Sequence, residues 1–224
     1  MTEDYERWLG THVPLVESDL LLKHAKMASA DVCFPFFRAT YYRWIKRLPK
    51  VCPEVWDAPH VLIVGDLHVE NFGTWRDAES RLIWGVNDFD EADELPYTND
   101  IVRLSASALI ASKDAHLTLN EHDICAAIQS GYSACIDARL EGHALPFVIG
   151  ERHKWLAPLA GAREPSSFWS SLRDLPPVAG EIPKGAATGF RRCLPDEIES
   201  MTVRVRTAGA GSLGRRRFCA IVDW

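Results

Sequence analysis

The sequence has no apolar run near the ~18 residues that a bilayer-crossing helix needs, and its start, Met1-Thr-Glu-Asp-Tyr-Glu-Arg-Trp-Leu-Gly10, is acidic, without the basic and apolar stretches of a secretory signal. Both absences predict a cytoplasmic protein with no membrane partner. Its six cysteines, Cys33, Cys52, Cys125, Cys135, Cys193 and Cys219, contain no C-x-x-C pair. That argues against a zinc site or a tight disulfide framework and for free, buried thiols in a reducing compartment. Basic charge is also short: 25 Lys plus Arg stand against 31 Asp plus Glu, for a net charge of −6, and residues 215–217 form the one compact basic run. A nucleic-acid partner is therefore not expected. Repeats and low-complexity tracts are absent as well.

What is present is an ordinary globular chain of 224 residues, 47% hydrophobic, long enough for a core without staples. Residues 1–59 read as helical: Leu15, Leu22 and Met27 suit one amphipathic helix, and Tyr41, Trp44, Ile45 and Leu48 another, with Pro49, Pro53 and Pro59 closing the region. Residues 60–140 hold two buried strands, His60-Val-Leu-Ile-Val64 and Arg81-Leu-Ile-Trp-Gly-Val86, followed by two packing helices. The first of these helices is capped by Asn99 or Asp100; the second is capped by Asn120 and carries Ile124, Ala127, Ile128 and Cys135 on one face. Residues 141–195 are irregular and rich in Pro and Gly, with short helical pieces near 154–159 and 168–172. Residues 196–224 alternate as two strands around Gly209-Ala-Gly-Ser-Leu-Gly214, a glycine-rich hairpin. The whole is expected to form one α/β (α+β) domain.

Three segments carry candidate chemistry: Gly65-Asp-Leu-His-Val-Glu-Asn71, Asn87-Asp-Phe-Asp90 and the glycine-rich hairpin. Phosphoryl transfer asks a protein to position an acceptor hydroxyl, to hold Mg²⁺ with oxygen ligands and to cover phosphates with backbone donors. A kinase loop places an Asp base five positions before a metal-binding Asn, the spacing of Asp66 and Asn71. A further carboxylate, Asp88 or Asp90, closes the next strand. Glycines at 209, 211 and 214, with Ser212, would let backbone approach phosphates closely.

Together with Phe36-Phe-Arg38 and Asp100-Ile-Val-Arg-Leu-Ser105, these segments resemble, in order, the motifs of the bacterial family called DUF2252, from about residue 30 to the end of the chain. That family is similar in turn to the protein-kinase-like superfamily of aminoglycoside and choline kinases. The resemblance implies a kinase-like fold with ATP and Mg²⁺ as cofactors and a small hydroxyl compound as substrate. By motif Asp66 resembles the base, Asn71 and Asp88 the Mg²⁺ ligands, and Asp100 the Asp that supports the catalytic loop; Gly209, Gly211, Ser212 and Gly214 would bind the nucleotide.

Two departures accompany the resemblance. The glycine-rich hairpin follows the catalytic loop instead of preceding it, an order that implies a circularly permuted fold. None of the seven lysines follows the hairpin, where a kinase needs one for the α- and β-phosphates, and the sequence stops within a strand. A C-terminally truncated or inactive nucleotide-binding module is thus the alternative to an active phosphotransferase. A metallophosphoesterase would use Asp66 and His68 as metal ligands, but the further ligand motifs it needs are missing. His68 reads as a structural loop residue, Arg38 as either a surface residue or a phosphate clamp, and Asp93 and Glu94 as a solvated acidic turn. The 209–214 segment also matches a dinucleotide fingerprint on paper, without the helix and later acidic residue that fingerprint requires.

Overall fold

The computed structural model describes residues 1–28, 33–143, 146–149, 154–156, 158, 164–207, 211 and 213–224. The element order is α1 (Thr2–Gly10), α2 (Glu17–Met27), α3 (Phe34–Ala39), α4 (Tyr41–Val51), α5 (Pro53–Trp56), β1 (His60–Ile63), β2 (Phe72–Arg76), β3 (Leu82–Val86), β4 (Asp93–Pro96), α6 (Thr98–Asp114), α7 (Glu121–Leu140), α8 (Pro165–Arg173), α9 (Lys184–Cys193), β5 (Ser200–Val205) and β6 (Phe218–Asp223). Single turns of 3₁₀ helix lie at Val69–Asn71 and Lys154–Leu156. This is an α+β architecture with small antiparallel ladders. The chain divides into two compact units, one of residues 1–2 and 26–161, the other of residues 3–25 and 162–224.

In the first unit the strands pair in nested fashion. β1 pairs antiparallel with β4, from His60 opposite Pro96 to Ile63 opposite Asp93, and β2 pairs with β3, from Phe72 opposite Val86 to Arg76 opposite Leu82. The segment 64–71 therefore joins β1 to β2 while 87–92 joins β3 to β4, and the two segments leave and rejoin the ladders at paired residues. The β2–β3 turn is built on Asp77, whose carboxylate accepts from the N–H of Glu79 and of Arg81 and from Arg81 Nε at 2.9–3.0 Å. Residues 147–149 add a further edge to β3 through Trp84 N–H to the Phe147 carbonyl and Ile149 N–H to the Leu82 carbonyl, both 2.9 Å.

Helices α3 and α4 supply Phe34, Phe37, Tyr41 and Leu48 to the core, where Ile63, Leu67, Ile83 and Val148 are also buried. Pro49 lies inside α4, which continues to Val51 instead of closing there. A proline forfeits one N–H near a helix end, and Cys52 N–H still bonds the Leu48 carbonyl. The start of α3 is capped from a distance: both Cys33 and Phe34 donate their N–H to Asp114 Oδ2 at 2.9 Å, so the last residue of α6 satisfies a helix end eighty residues earlier. Asn120 caps α7 as its sequence predicts, accepting from His122 and Asp123. No residue of α7 is buried, however, and Ala127 and Cys135 of its expected inner face are exposed. All six cysteines are free, as their spacing predicts, but none is buried.

In the second unit β5 and β6 pair antiparallel, Ser200 opposite Asp223 through Val205 opposite Phe218. Gly209 and Ser212 of the glycine-rich segment lie outside the described residues. Gly214 adopts φ +97°, and a Cβ there would lie 2.5 Å from Leu20 of α2. Its carbonyl accepts the Val16 N–H. Lys23, 2% exposed, lies 4.0 Å from Glu6, which His24 Nε2 contacts at 2.8 Å. Among the described residues no helix is long and apolar enough to cross a membrane.

Gly65 is the position where backbone freedom is indispensable. It adopts φ +91°, and a Cβ would lie 2.1 Å from the carbonyl oxygen of Glu91. Gly131, inside α7, has open space around it. Chemical denaturation should report Gly65→Ala as destabilising by about 3 kcal/mol or more and Gly131→Ala as stabilising by roughly 0.5–1 kcal/mol.

Candidate functional site

The loop of residues 64–71 is held to α6 by four polar side chains. Asn99, Arg103 and Ser107 recur every four residues and so share one face of the helix, with Asp100 beside them. Asp100 opens the arrangement: its Oδ2 accepts the Val64 N–H at 2.7 Å and its Oδ1 the Gly65 N–H at 3.0 Å. Asn99 Nδ2 donates to the Gly65 carbonyl at 3.2 Å, while its Oδ1 accepts from Trp44 Nε1 at 2.9 Å. Ser107 Oγ accepts the Val69 N–H at 3.1 Å. A loop has no ladder to satisfy its backbone, and here side chains of a neighbouring helix take that part.

Arg103 completes the set. Its Nε donates to Asp66 Oδ1 at 2.7 Å, with Nη2 at 2.5 Å from the same oxygen, and Nη2 also donates to the Phe37 carbonyl at 2.9 Å. The guanidinium lies over the ring of Phe37 at 3.9 Å and within 5.0 Å of the Trp44 and Tyr41 ring centres. Asn99, Arg103 and Ser107 are each at most 1% exposed. Such buried polar side chains persist because every one of them is engaged.

Asn71 and Asp88 face each other across the two loops. Asn71, buried, places Nδ2 3.5 Å from the Asp88 carbonyl, and Asn87 N–H bonds the Asn71 carbonyl at 3.0 Å. Asn71 Oδ1 is buried with no hydrogen-bond partner, whereas Asp88 is exposed. Asn71 thus touches the Asp88 backbone, and an amide oxygen and a carboxylate are oxygen donors of the kind a hard cation such as Mg²⁺ takes. Gly73 makes room for this crossing, since a Cβ there would lie 2.3 Å from Asn87 Nδ2. Asp90 sits in the turn that Ala92 N–H closes on the Phe89 carbonyl. Arg38 donates to Glu70 Oε2 at 2.7 Å. Asp93 and Glu94 are exposed, within β4 rather than a turn. Gly211 and Gly214 belong to the second unit.

Burial sets the electrostatics. It raises the Asp66 carboxyl above its usual range, against the pull of Arg103 and Arg38 and with help from Asp88. Burial raises Asp100 too, opposed by the N–H groups of Val64 and Gly65. It lowers His68 from 6.5 to about 4, with Arg38 and Arg103 adding to the effect and Asp88 opposing it. His68 is thus neutral at physiological pH; it is 2% exposed, meets the Phe34 ring edge-on at 5.7 Å and leaves Nδ1 without a partner.

The sequence alone marks α6 as a packing helix with Asn99 as a candidate cap, and does not single out Arg103 and Ser107. The signal lies in the spacing: Asn99, Arg103 and Ser107, four residues apart, put three polar side chains on one face, which has no place in a dry interface.

A family model described as "Uncharacterized protein conserved in bacteria (DUF2252)" matches residues 15–150, more than half of the chain. The span takes in both loops and α6, and the glycine-rich segment lies beyond it. No curated protein and no solved structure matches the chain.

The native state resists protonating His68 between pH 6.5 and about 4, while the unfolded chain takes up the proton. Stability therefore falls as pH drops through that window. Asp66 and Asp100, raised in the fold, have the opposite sign: they add stability as pH falls. Relative to a His68→Gln variant, in which the carboxylates remain, the wild-type protein should lose on the order of 2–3 kcal/mol between the two ends of the window. Urea melts at a series of pH values check this; parallel pH profiles would contradict it.

Proposed function

The chain belongs to the DUF2252 family, and we propose that it is a phosphotransferase that uses ATP and Mg²⁺ to phosphorylate a hydroxyl group of a small molecule. The observation that carries this reading is the grip of one carboxylate, Asp100, on the two backbone N–H groups immediately before Asp66, at 2.7 and 3.0 Å. Charge-assisted bonds of this kind are each worth about 1.5–3 kcal/mol, and two of them on adjacent amides leave the following residue little freedom. Positioning is most of what phosphoryl transfer asks of a protein.

In this reading Asp66 receives the acceptor hydroxyl and takes its proton as the oxygen attacks. Its raised carboxyl suits that work, because a general base is most useful when its affinity for the proton approaches that of the medium. Asn71, through its unpartnered Oδ1, and Asp88, through its exposed carboxylate, would hold Mg²⁺. Bound there, the metal would supply charge neutralisation for the phosphate oxygens. His68, neutral and buried under Phe34, packs the loop without adding a positive charge beside the metal ligands. Arg38, tied to Glu70, adds positive potential near Asp66. The resemblance of Gly65-Asp-Leu-His-Val-Glu-Asn71 and Asn87-Asp-Phe-Asp90 to the motifs of aminoglycoside and choline kinases points to the same assignment of Asp66, Asn71, Asp88 and Asp100.

Thermal shift and ADP release test the reading together. Mg-ATP should raise the melting temperature where ATP with a chelator does not, and Asp88→Ala should abolish the difference. Asp66→Asn should keep the shift while lowering ADP formation about 100-fold or more. Absence of any Mg-ATP shift in the wild-type protein sinks the proposal; a shift without ADP formation turns it into a nucleotide-binding module.

A further inference from the structure

We propose that Arg103 is the positioning residue for Asp66: it fixes the carboxylate through one oxygen and reserves the other for the incoming hydroxyl. The inference rests on the phosphotransferase reading of the same site.

Both close contacts from the guanidinium, Nε at 2.7 Å and Nη2 at 2.5 Å, fall on Oδ1. Among the described residues Oδ2 receives no hydrogen bond. Two donors on one oxygen set the rotation of the carboxylate and leave Oδ2 the oxygen that can accept a proton. Among the described residues the charged or titratable groups that bear on Asp66 include Arg103 of α6, Arg38 of α3, Asp88 of the 87–92 loop and the Tyr41 hydroxyl of α4. Arg103 is the one that hydrogen-bonds it.

Arg103 is itself immobilised. It is 1% exposed, donates to the Phe37 carbonyl at 2.9 Å, and its plane rests on Phe37 with Trp44 and Tyr41 around it. This gives the Phe36-Phe37-Arg38 motif a part in the chemistry: Phe37 offers both its ring and its carbonyl as the seat of the guanidinium. A buried ion pair is seldom the cheapest way to fill such a space, since apolar side chains of the same volume often give equal or greater stability. What the pair supplies instead is a direction. Lysine cannot reproduce it, having no planar fork and no flat face to stack.

The test is steady-state ADP formation by the full chain with Mg-ATP. Arg103→Lys, which keeps the charge, should lower kcat about 10- to 100-fold while KM for ATP stays within about twofold and the Mg-ATP thermal shift is retained. Arg103→Ala should fall further and recover several-fold on adding methylguanidinium, a rescue that a purely packing role would not permit. Wild-type kcat in Arg103→Lys, or loss of kcat together with the thermal shift, overturns the inference. If the wild-type protein forms no ADP, the phosphotransferase reading fails separately. The pairing is then read from the ¹³C signal of the Asp66 carboxyl, whose titration midpoint should be higher in Arg103→Lys than in the wild type; equal midpoints contradict it.

Discussion

The structure of the first unit depends on the polar edge of α6. Asn99, Asp100, Arg103 and Ser107 place hydrogen-bonding groups along about two turns of one helix, and each meets a different point of the 64–71 loop: a carbonyl, two adjacent N–H groups, a carboxylate and a third N–H. Leaving even one such buried group unpaired costs about 1–3 kcal/mol. The loop therefore has one conformation in which all are satisfied, and α6 is the template for it. The same helix reaches further, to Trp44 through Asn99 and to the start of α3 through Asp114. Helices α3 and α4 and the loop are thereby referred to one common element.

The second constraint is the nesting of the two ladders. With β1 on β4 and β2 on β3, the segments 64–71 and 87–92 must run side by side, and their contacts fall at both ends: Gly65 against the Glu91 carbonyl, Asn71 against Asn87 and Asp88. Nothing but glycine fits the first of these contacts. Together the helix and the ladders bring a part-buried, oriented carboxylate, a buried unpartnered amide oxygen and an exposed carboxylate onto two adjoining loops. Water reaches the first in part, is kept from the second and is admitted to the third. That gradient separates a carboxylate with raised proton affinity from an exposed, oxygen-rich edge, and the phosphotransferase proposal draws on it.

The sequence reveals these features unevenly, for physical reasons. β1 and β3 are legible as strands because β-branched and apolar runs ending at Gly65 and Asn87 have few other readings, but β1 is not the buried strand its composition suggests: only Ile63 is buried, and Val61 and Leu62 are exposed. β2 and β4 are not: Phe72-Gly-Thr-Trp-Arg76 continues the polar loop motif without an apolar run of its own, and Asp93-Glu-Leu-Pro96 is acidic and ends in proline, so both owe their strand character to the partner rather than to themselves. Helix α9 carries Gly185 and Gly189, which depress local helix propensity. Asp66, Asn71, Asp88 and Asp100 stand out by spacing and motif. Arg103 does not, because an arginine on a helix is ordinarily solvated and only the fold reveals that this one is buried against three aromatic rings. The expected caps Asn99 and Asp100 fall inside the first turn of a helix that begins at Thr98, and their side chains serve the loop instead of the helix end.

The central claim is that α6 holds the loop through side chains, and native-state hydrogen exchange of individual amides tests it most directly. The N–H groups of Val64, Gly65 and Val69, which no strand ladder protects, should exchange as slowly as the interior of α6. Asp100→Asn should accelerate Val64 and Gly65 while leaving the α6 amides slow. Fast exchange at these three positions in the wild-type protein, or no response to Asp100→Asn, would contradict the account.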